Sequence, residues 1–257
     1  MIVLLSFLLF FSCDFTPPLS KEVLQAQGYI SNQEYEKAVK GYEDILKKNP
    51  SRELEVKIQY QLGDIHSIYL NKNQEALKYY KNVIKISKDP LWLVKTEERL
   101  GDVYFTYLKQ YRESNEVYKN LSSFNPPLKN QNTYKFRYAL SNFYLGYLKK
   151  ADTLFDEISR EKKSKFSNRS LYYRALCSFE EKDWNKTIEH LDNYIKRETR
   201  QDYLVEAKFL MANSYESLEK LKNAYNIYYS ILGEYPNTEV IQNRLKGIYD
   251  RRIARKR

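Results

Sequence analysis

Cysteine and histidine are the residues of this chain that could act as nucleophiles or metal ligands, and the sequence holds two of each. Cys177 lies in an apolar stretch, where a thiol packs as a small hydrophobic side chain. His66 and His190 are distant in sequence, and neither has a histidine or cysteine four residues away to complete a metal site on a helix. Neither histidine is spaced to activate Cys177 as a nucleophile. We therefore expect no metal ion and no catalytic thiol.

Phosphate loops and cooperating carboxylates are also missing from the sequence. The seven glycines are dispersed along 257 residues, so they cannot form a glycine-rich phosphate loop. Glu97 and Glu98, like Glu180 and Glu181, are adjacent on helical stretches, and adjacent side chains diverge around a helix axis. The sequence therefore predicts a protein that is not an enzyme and that binds no cofactor and no small-molecule substrate.

Cys13 has a more distinctive context, because it closes the apolar segment 1–12. That segment is shorter than the roughly 20 residues that span a bilayer, and it has the length of the apolar part of a secretion signal. The letters FFSC, ending at Cys13, resemble the lipobox of bacterial lipoproteins, in which the signal is cleaved before an acylated cysteine. The resemblance implies a lipoprotein signal peptide at 1–12, a palmitate-type lipid anchor on Cys13, and an extended tether at 13–20. The alternatives are an ordinary signal peptide or an uncleaved anchor.

A repeated pattern organises the rest of the chain and predicts its fold. A small residue is followed four positions later by an aromatic residue or Leu, and three positions after that by an aliphatic residue or Tyr. Offsets of four and seven place each trio on one face of a helix. The starts of the trios are 38, 38, 37, 36 and 37 residues apart. The six trios are Ala38-Tyr42-Ile45, Ala76-Tyr80-Val83, Ser114-Tyr118-Leu121, Ala151-Phe155-Ile158, Thr187-Leu191-Tyr194 and Ala224-Tyr228-Ile231.

A second apolar helix with its own small residue precedes each trio. The small residues Ala26, Gly63, Gly101, Ser141 and Ala212 are examples, and Ala175 completes the set. Glycine within a helix costs about 1 kcal/mol relative to alanine, so its presence there indicates close packing of two helices. We therefore predict one helical hairpin for each trio, with one extra residue in the hairpin turns of repeats two and three.

These features together resemble the tetratricopeptide repeat, a helix-turn-helix unit of about 34 residues. Pro50, Pro126 and Pro236 fall where the closing proline of that family lies. The resemblance implies an all-α fold: a right-handed α-solenoid of about six hairpins over 21–236. A basic capping helix over 237–257, with Val240, Ile241, Leu245, Ile248 and Tyr249 as its apolar residues, would cover the last hairpin.

The resemblance also implies where partners bind, because the first helix of each hairpin lines the concave surface of such a stack. Basic residues flanked by aromatic ones at the outward positions would suit a segment with carboxylates and apolar side chains. The alternative is that these tyrosines pack between repeats and that the lysines are simply solvated. The candidate partner-binding residues are Lys57, Tyr60, Lys95, Lys135, Tyr138, Asn142, Arg169, Tyr172, Phe209 and Asn213.

The net charge of +10 leaves several partner classes open. It is compatible with solvated helix faces, acidic proteins, anionic membranes or nucleic acid. Nucleic acid is disfavoured because the aromatic residues follow hairpin spacing and form no stacking platform. A lipobox followed by such repeats resembles the outer-membrane assembly lipoprotein BamD. That resemblance implies a scaffold on the periplasmic face of a bacterial envelope membrane, outer more than inner, with envelope proteins as partners. The alternatives are a coordinator of cell division or envelope maintenance of the Tol-Pal-associated type, and a regulatory or nucleic-acid-binding repeat protein.

Overall fold

The structure, a computed structural model, describes residues 18–161 and 163–255. The predicted all-α fold class is confirmed, since these residues form helices, turns and no strand. The helices are α1 (Pro18–Ser31), α2 (Tyr35–Leu46), α3 (Arg52–Asp64), α4 (Asn73–Ile86), α5 (Pro90–Asp102), α6 (Tyr111–Ser122), α7 (Gln131–Tyr144), α8 (Leu148–Arg160), α9 (Ser167–Glu180), α10 (Trp184–Ile195), α11 (Gln201–Ser217), α12 (Leu221–Ser230) and α13 (Thr238–Ala254).

The chain divides between Val103 and Tyr104 into two compact units. The first unit contains the hairpins α1/α2 and α3/α4, followed by α5. The second unit contains α6, the hairpins α7/α8, α9/α10 and α11/α12, and finally α13. Within each unit, helices that are consecutive in sequence pack against one another, as expected for hairpin repeats.

The start of the chain differs in part from the sequence prediction. The predicted signal peptide, Cys13 and most of the tether lie outside the described residues. The last three tether residues, 18–20, are helical rather than extended, because α1 begins at Pro18. Proline suits the first turn of a helix, where its missing N–H would have no partner. Across 18–161 and 163–255, no helix combines the length and the apolar character needed to cross a bilayer.

All six trios lie in the core, as their spacing predicts. Every one of the 18 side chains is buried, and the most exposed of them, Tyr194, is only 4% accessible. In each trio the small residue lets the partner helix approach, and the aromatic or aliphatic residues fill the space between helices. Tyr42, Tyr80, Tyr118 and Tyr228 are among the largest fully buried side chains of the described residues. The repeated tyrosines are therefore mainly structural.

A left-handed backbone residue marks every hairpin turn at the same place, five positions before the small residue of the trio. Only one of these six residues is glycine, Gly146 with a φ of 77°. The other five carry side chains in a conformation that costs about 1–2 kcal/mol for most residues. They are Gln33, Asn71, Lys109, Lys182 and Glu219. The turn geometry is therefore constant along the chain although its residue type is not.

Repeats two and three contain their extra residue in the first helix, so the prediction that it lies in the hairpin turn was wrong. Asn71 and Lys109 keep the usual five-residue distance to Ala76 and Ser114. The additional residue is accommodated upstream by π-helical turns at Ile65–Tyr69 and Val103–Tyr107. A π-helical turn forms hydrogen bonds between residues five apart, where an α-helix forms them between residues four apart. It therefore holds one more residue within the helix, and the hairpin turn keeps its length.

Gly63 confirms the predicted close packing of the helices in repeat two. A Cβ atom added at Gly63 would lie 2.5 Å from Cε1 of Tyr80, which is closer than real Cβ contacts allow. The ring of the central trio residue therefore occupies the space that any larger side chain at position 63 would need. The helix-propensity cost of this glycine is offset by the burial of the whole tyrosine ring.

The predicted capping helix is present as α13. Asn237 caps its N-terminus, where Oδ1 accepts a hydrogen bond from the Val240 N–H at 3.1 Å. Ile241, Leu245 and Ile248 are buried in one cluster with Tyr228 and Ile231 of the last trio. Three of the five predicted apolar residues thus cover the last hairpin. Val240 is half-buried, and Tyr249 is 57% exposed and does not belong to the core.

Candidate functional site

The residues predicted for the outward face of the first helices differ in exposure. Lys57, Lys95 and Arg169 are exposed. A second group is half-buried, with one side of each residue packed against its own unit. This group consists of Tyr60, Lys135, Tyr172, Phe209 and Asn213.

Tyr138 and Asn142 do not face outward, so their assignment to the partner-binding surface was wrong. Tyr138 is 8% exposed and Asn142 is fully buried. Asn142 Nδ2 donates to the Tyr138 carbonyl oxygen at 2.8 Å. The error came from using Ser141 as the small residue of α7. In repeats one, five and six, the small residue lies seven positions before the left-handed turn residue. In α7 that position is Ala139.

The correct register makes Phe136 the counterpart of Tyr60 and Phe209, but Phe136 is itself buried, at 3% exposure. Its ring stacks on Phe166 with centroids 4.4 Å apart and meets Phe155 edge-on at 5.7 Å. Tyr60 and Phe209 behave in the same way within their own repeats. Tyr60 meets Tyr80, and Phe209 meets Tyr228, each edge-on with centroids 5.9 Å apart. The outward aromatic residues therefore rest on the central trio residue and are held rigidly.

Two members of the predicted basic column are neutralised by acidic neighbours. Lys57 Nζ lies 2.6 Å from Glu53 Oε1 on the same helix. Lys135 Nζ lies 3.0 Å from Glu161 Oε1. By contrast, the Lys95 ammonium lies 5.3 Å from the centroid of the Trp92 ring. Of the four predicted cations, only Lys95 and Arg169 lack an acidic partner among the described residues.

In the first unit, a polar cluster that the sequence did not indicate adjoins Tyr60. Asp64 Oδ1 accepts a hydrogen bond from the Tyr80 hydroxyl at 2.6 Å and lies 3.0 Å from Arg99 Nε. Arg99 Nε also donates to the Tyr60 hydroxyl at 3.2 Å. Burial raises the pKa of Asp64, although the contacts with Tyr80 and Arg99 oppose that shift. The cluster fixes the position of the outward tyrosine.

In the second unit, a cavity of about 190 Å³ lies between α9, α10 and α11. Tyr172 and Tyr194 form part of its wall, with ring centroids 5.3 Å apart. Burial and the charge of Glu206 raise the pKa of Tyr172 to about 12, so its hydroxyl stays protonated at neutral pH. The cavity is lined by Arg169, Tyr172, Tyr173, Tyr194, Tyr203 and Glu206. The cavity has room for an apolar side chain, and its two charged lining residues are Arg169 and Glu206.

A second cavity of the same unit brings together Phe209 and Asn213 with side chains of α13. Its volume is about 450 Å³, and Glu216, Arg244 and Arg251 are among the residues that line it. Asn213 Oδ1 accepts a hydrogen bond from the Tyr228 hydroxyl at 2.5 Å. Glu216 forms ion pairs with both arginines, so the charges of this cavity are satisfied internally. The smaller, tyrosine-lined cavity is therefore the better candidate for binding.

Cys177, His66 and His190 are buried in the core. Burial raises the pKa of the Cys177 thiol to about 12, which keeps it protonated and unreactive at neutral pH. Burial lowers the pKa of His66 and of His190, and both side chains are neutral core residues. No group of three potential metal ligands occurs in the part of the chain that the structure describes.

Helical hairpins with buried trios on their second helices are the architecture of tetratricopeptide-repeat proteins. A family model described as a tetratricopeptide repeat matches residues 206–238, which include all of α12 and most of α11. The chain therefore contains a tetratricopeptide repeat and has the solenoid-type fold of that family. A comparison with curated proteins found no match.

Solved structures of similar fold come from several bacterial proteins. The C-terminal part of a tetratricopeptide-repeat protein from Cytophaga hutchinsonii superimposes with a TM-score of 0.67 at 15% identity, covering 88% of this chain and 87% of that one. PilW, described as a widely conserved type IV pilus biogenesis factor, gives 0.56 at 15% identity, covering 88% and 98%. PilF of Pseudomonas aeruginosa gives 0.53 at 12% identity, covering 88% and 95%. At these identities the similarity concerns the fold alone.

Proposed function

We propose that this chain is a non-catalytic protein-interaction scaffold in which α9 and α11 hold a segment of a partner protein. The observation that carries the proposal is the tyrosine-lined cavity, which opens to solvent between the outward positions of these two helices. A preformed apolar cavity with a few polar groups at its mouth is typical of a binding site. Tetratricopeptide repeats recognise partner segments on this face, and Arg169 and Tyr172 are the predicted residues that meet there.

Site-specific crosslinking tests the proposal directly. A photo-crosslinking amino acid at position 203, on the rim of the cavity, should capture one or a few partner proteins in the cells that make this protein. Replacing Tyr172 by Ala in the same chain should reduce that product at least fivefold, because part of the cavity wall is lost. The measurement is immunoblotting of the crosslinked bands, followed by mass spectrometry.

A matched control is the same crosslinker at position 249, where Tyr249 is exposed on α13 and does not line the cavity. Equal capture of the same proteins from positions 203 and 249 would contradict the proposal. A loss of helical circular dichroism in Tyr172→Ala would assign Tyr172 a structural role instead. In that case Arg169→Ala, which alters an exposed residue at the mouth of the cavity, gives the deciding result with the crosslinker still at position 203.

We also propose that the scaffold is anchored to the periplasmic face of a bacterial envelope membrane, the outer more than the inner, through a lipid on Cys13. Support comes from the lipobox-like sequence at Cys13 and from the apolar segment that precedes it. Cys13→Ala should move the protein from the membrane fraction to the soluble fraction, because the acylated thiol would be gone. Cys177→Ala is the matched control, since that thiol is buried. Unchanged fractionation of Cys13→Ala would contradict the lipid anchor.

The particular role that we propose for this scaffold is in outer-membrane protein assembly. Support for this role is the resemblance to the assembly lipoprotein BamD, which combines a lipobox with such repeats. The mass-spectrometric identity of the protein captured from position 203 tests this part separately. Capture of a barrel-assembly protein or its unfolded substrates is the expected result. Capture of division or pilus proteins alone would replace this role by another within the envelope.

A further inference from the structure

The size of the tyrosine-lined cavity limits what can enter it. Sites for whole small molecules usually measure about 300–1,000 Å³. The cavity measures about 190 Å³, which suits a single large side chain instead. Its wall consists of four tyrosine rings, and aromatic rings gain about 0.5–1.5 kcal/mol from edge-to-face or offset contacts with another ring. The occupant with the best fit is therefore one aromatic side chain of a longer segment.

The walls of the cavity are held in place without an occupant. The Tyr194 hydroxyl donates to Glu198 Oε2 at 3.0 Å. The guanidinium of Arg200 lies 3.7 Å from the centroid of the Tyr203 ring and also pairs with Asp202 at 2.7 Å. Because both rings are fixed by neighbours, little side-chain entropy is lost when a ligand enters.

Two opposite charges at the mouth of the cavity, Arg169 and Glu206, have no ion-pair partner among the described residues. Arg169 on α9 lies over the rings of Phe136 and Tyr173, at 5.6 and 5.8 Å from their centroids. In the described chain no acidic side chain pairs with Arg169, and no basic side chain pairs with Glu206 on α11. The other charges nearby are satisfied. Glu198, for example, accepts hydrogen bonds from Asn168 and from two backbone N–H groups.

We propose that this cavity binds a partner segment with a defined order of charges: an acidic residue at Arg169, an aromatic side chain in the cavity, and a basic residue at Glu206. The inference rests on the proposed function and adds the chemistry and direction of the bound segment. Charges of opposite sign on the two sides of one pocket favour one direction of the bound chain, because the reverse direction brings like charges together. The aromatic residue supplies most of the affinity, and the charges supply the direction.

Two synthetic peptides of identical composition test the charge order. Both are acetylated and amidated, and their central sequences are Asp-Gly-Phe-Gly-Lys and Lys-Gly-Phe-Gly-Asp. The full chain should bind one of them about fivefold or more tightly than the other, which is the effect expected of two exposed ion pairs. The variant that combines Arg169→Glu with Glu206→Arg should reverse this preference. Both side chains are exposed, so this exchange should leave the fold unchanged, as thermal unfolding would verify.

The outcomes separate this inference from the proposed function. Equal affinity for both peptides, a preference that survives the charge exchange, or no binding of either peptide would overturn the charge order. Retained affinity of a peptide with Ala in place of Phe would overturn the aromatic anchor. Crosslinking from position 203 uses the native partner and is independent of these peptides. A failure confined to the peptides therefore leaves the scaffold function standing, whereas absent crosslinking contradicts that function itself.

Discussion

Arg174→Ala should lower the free energy of unfolding of the second unit by about 2–4 kcal/mol, because it leaves two partly buried carboxylates without their shared partner. Arg174 Nε lies 2.8 Å from Asp152 Oδ1, and its Nη1 contacts Asp156 Oδ1. The three side chains are 17–21% exposed. The loss should stay below that of a fully buried pair, since Lys186 lies 3.6 Å from Asp152 and Arg160 pairs with Asp156, so each carboxylate keeps one cation nearby.

The tryptophans allow this effect to be measured in the correct unit. Trp92 belongs to the first unit and Trp184 to the second, and there are no others. In a Trp92→Phe background, urea unfolding followed by Trp184 fluorescence reports on α10, which packs against α9. Arg200→Ala is the matched control, because its pair with Asp202 is exposed to solvent and should contribute little to stability. Equal losses for the two variants would show that the Arg174 pairs contribute no more than surface pairs.

Tyr80→Ala should destabilise the first unit by about 3–5 kcal/mol, the usual cost of removing a fully buried aromatic side chain. Tyr80 has no exposed surface, and its ring lies directly against Gly63. Gly63 has no side chain that could move into the space, so the cavity would remain largely unfilled. Urea unfolding followed by Trp92 fluorescence, in a Trp184→Phe background, measures the loss.

Tyr80→Phe separates the ring from its hydroxyl group. This variant keeps the packing against Gly63 and removes only the hydrogen bond to Asp64, so the expected loss is about 1–2 kcal/mol. Asp64 retains Arg99 at 3.0 Å, which limits the cost. If the Phe and Ala variants lost the same stability, the hydrogen bond rather than ring packing would hold α3 against α4.

The core could be read from the sequence because it depends on spacing along single helices. Offsets of four and seven define one face of a helix whatever surrounds it, and all trio residues are buried there. The π-helical turn at Ile65–Tyr69 could not be read in the same way. An extra residue lengthens the sequence distance from the small residue of the first helix to the small residue of the trio by one. This distance is the same whether the extra residue lies in the helix or in the hairpin turn. Only the fixed position of Asn71 in the structure decides between them.

The outward surface was less predictable, because it depends on the rotation of each helix relative to its neighbours. Choosing Ser141 instead of Ala139 shifted α7 by two residues, which is about 200° around a helix, and brought Tyr138 into the predicted site. The sequence also contained no indication of the ion pairs between side chains of different helices. The Asp64–Arg99 contact joins α3 to α5, and no periodicity within either helix indicates it. Arg169 and Tyr172 of α9 are accessible as their spacing predicts, because α9 has no irregularity in its repeat.

The π-helical turns have a consequence for how relatives of this chain can be recognised. Because a π-helical turn at Ile65–Tyr69 or Val103–Tyr107 absorbs a residue inside the helix, repeats that differ in length by one residue still keep the left-handed turn residue five positions before the small residue of the trio. A search that scores fixed distances between small and aromatic residues penalises such repeats. The repeat that was matched, 206–238, has no widened turn. Insertions hidden within helices can thus make a regular stack look irregular at the level of sequence.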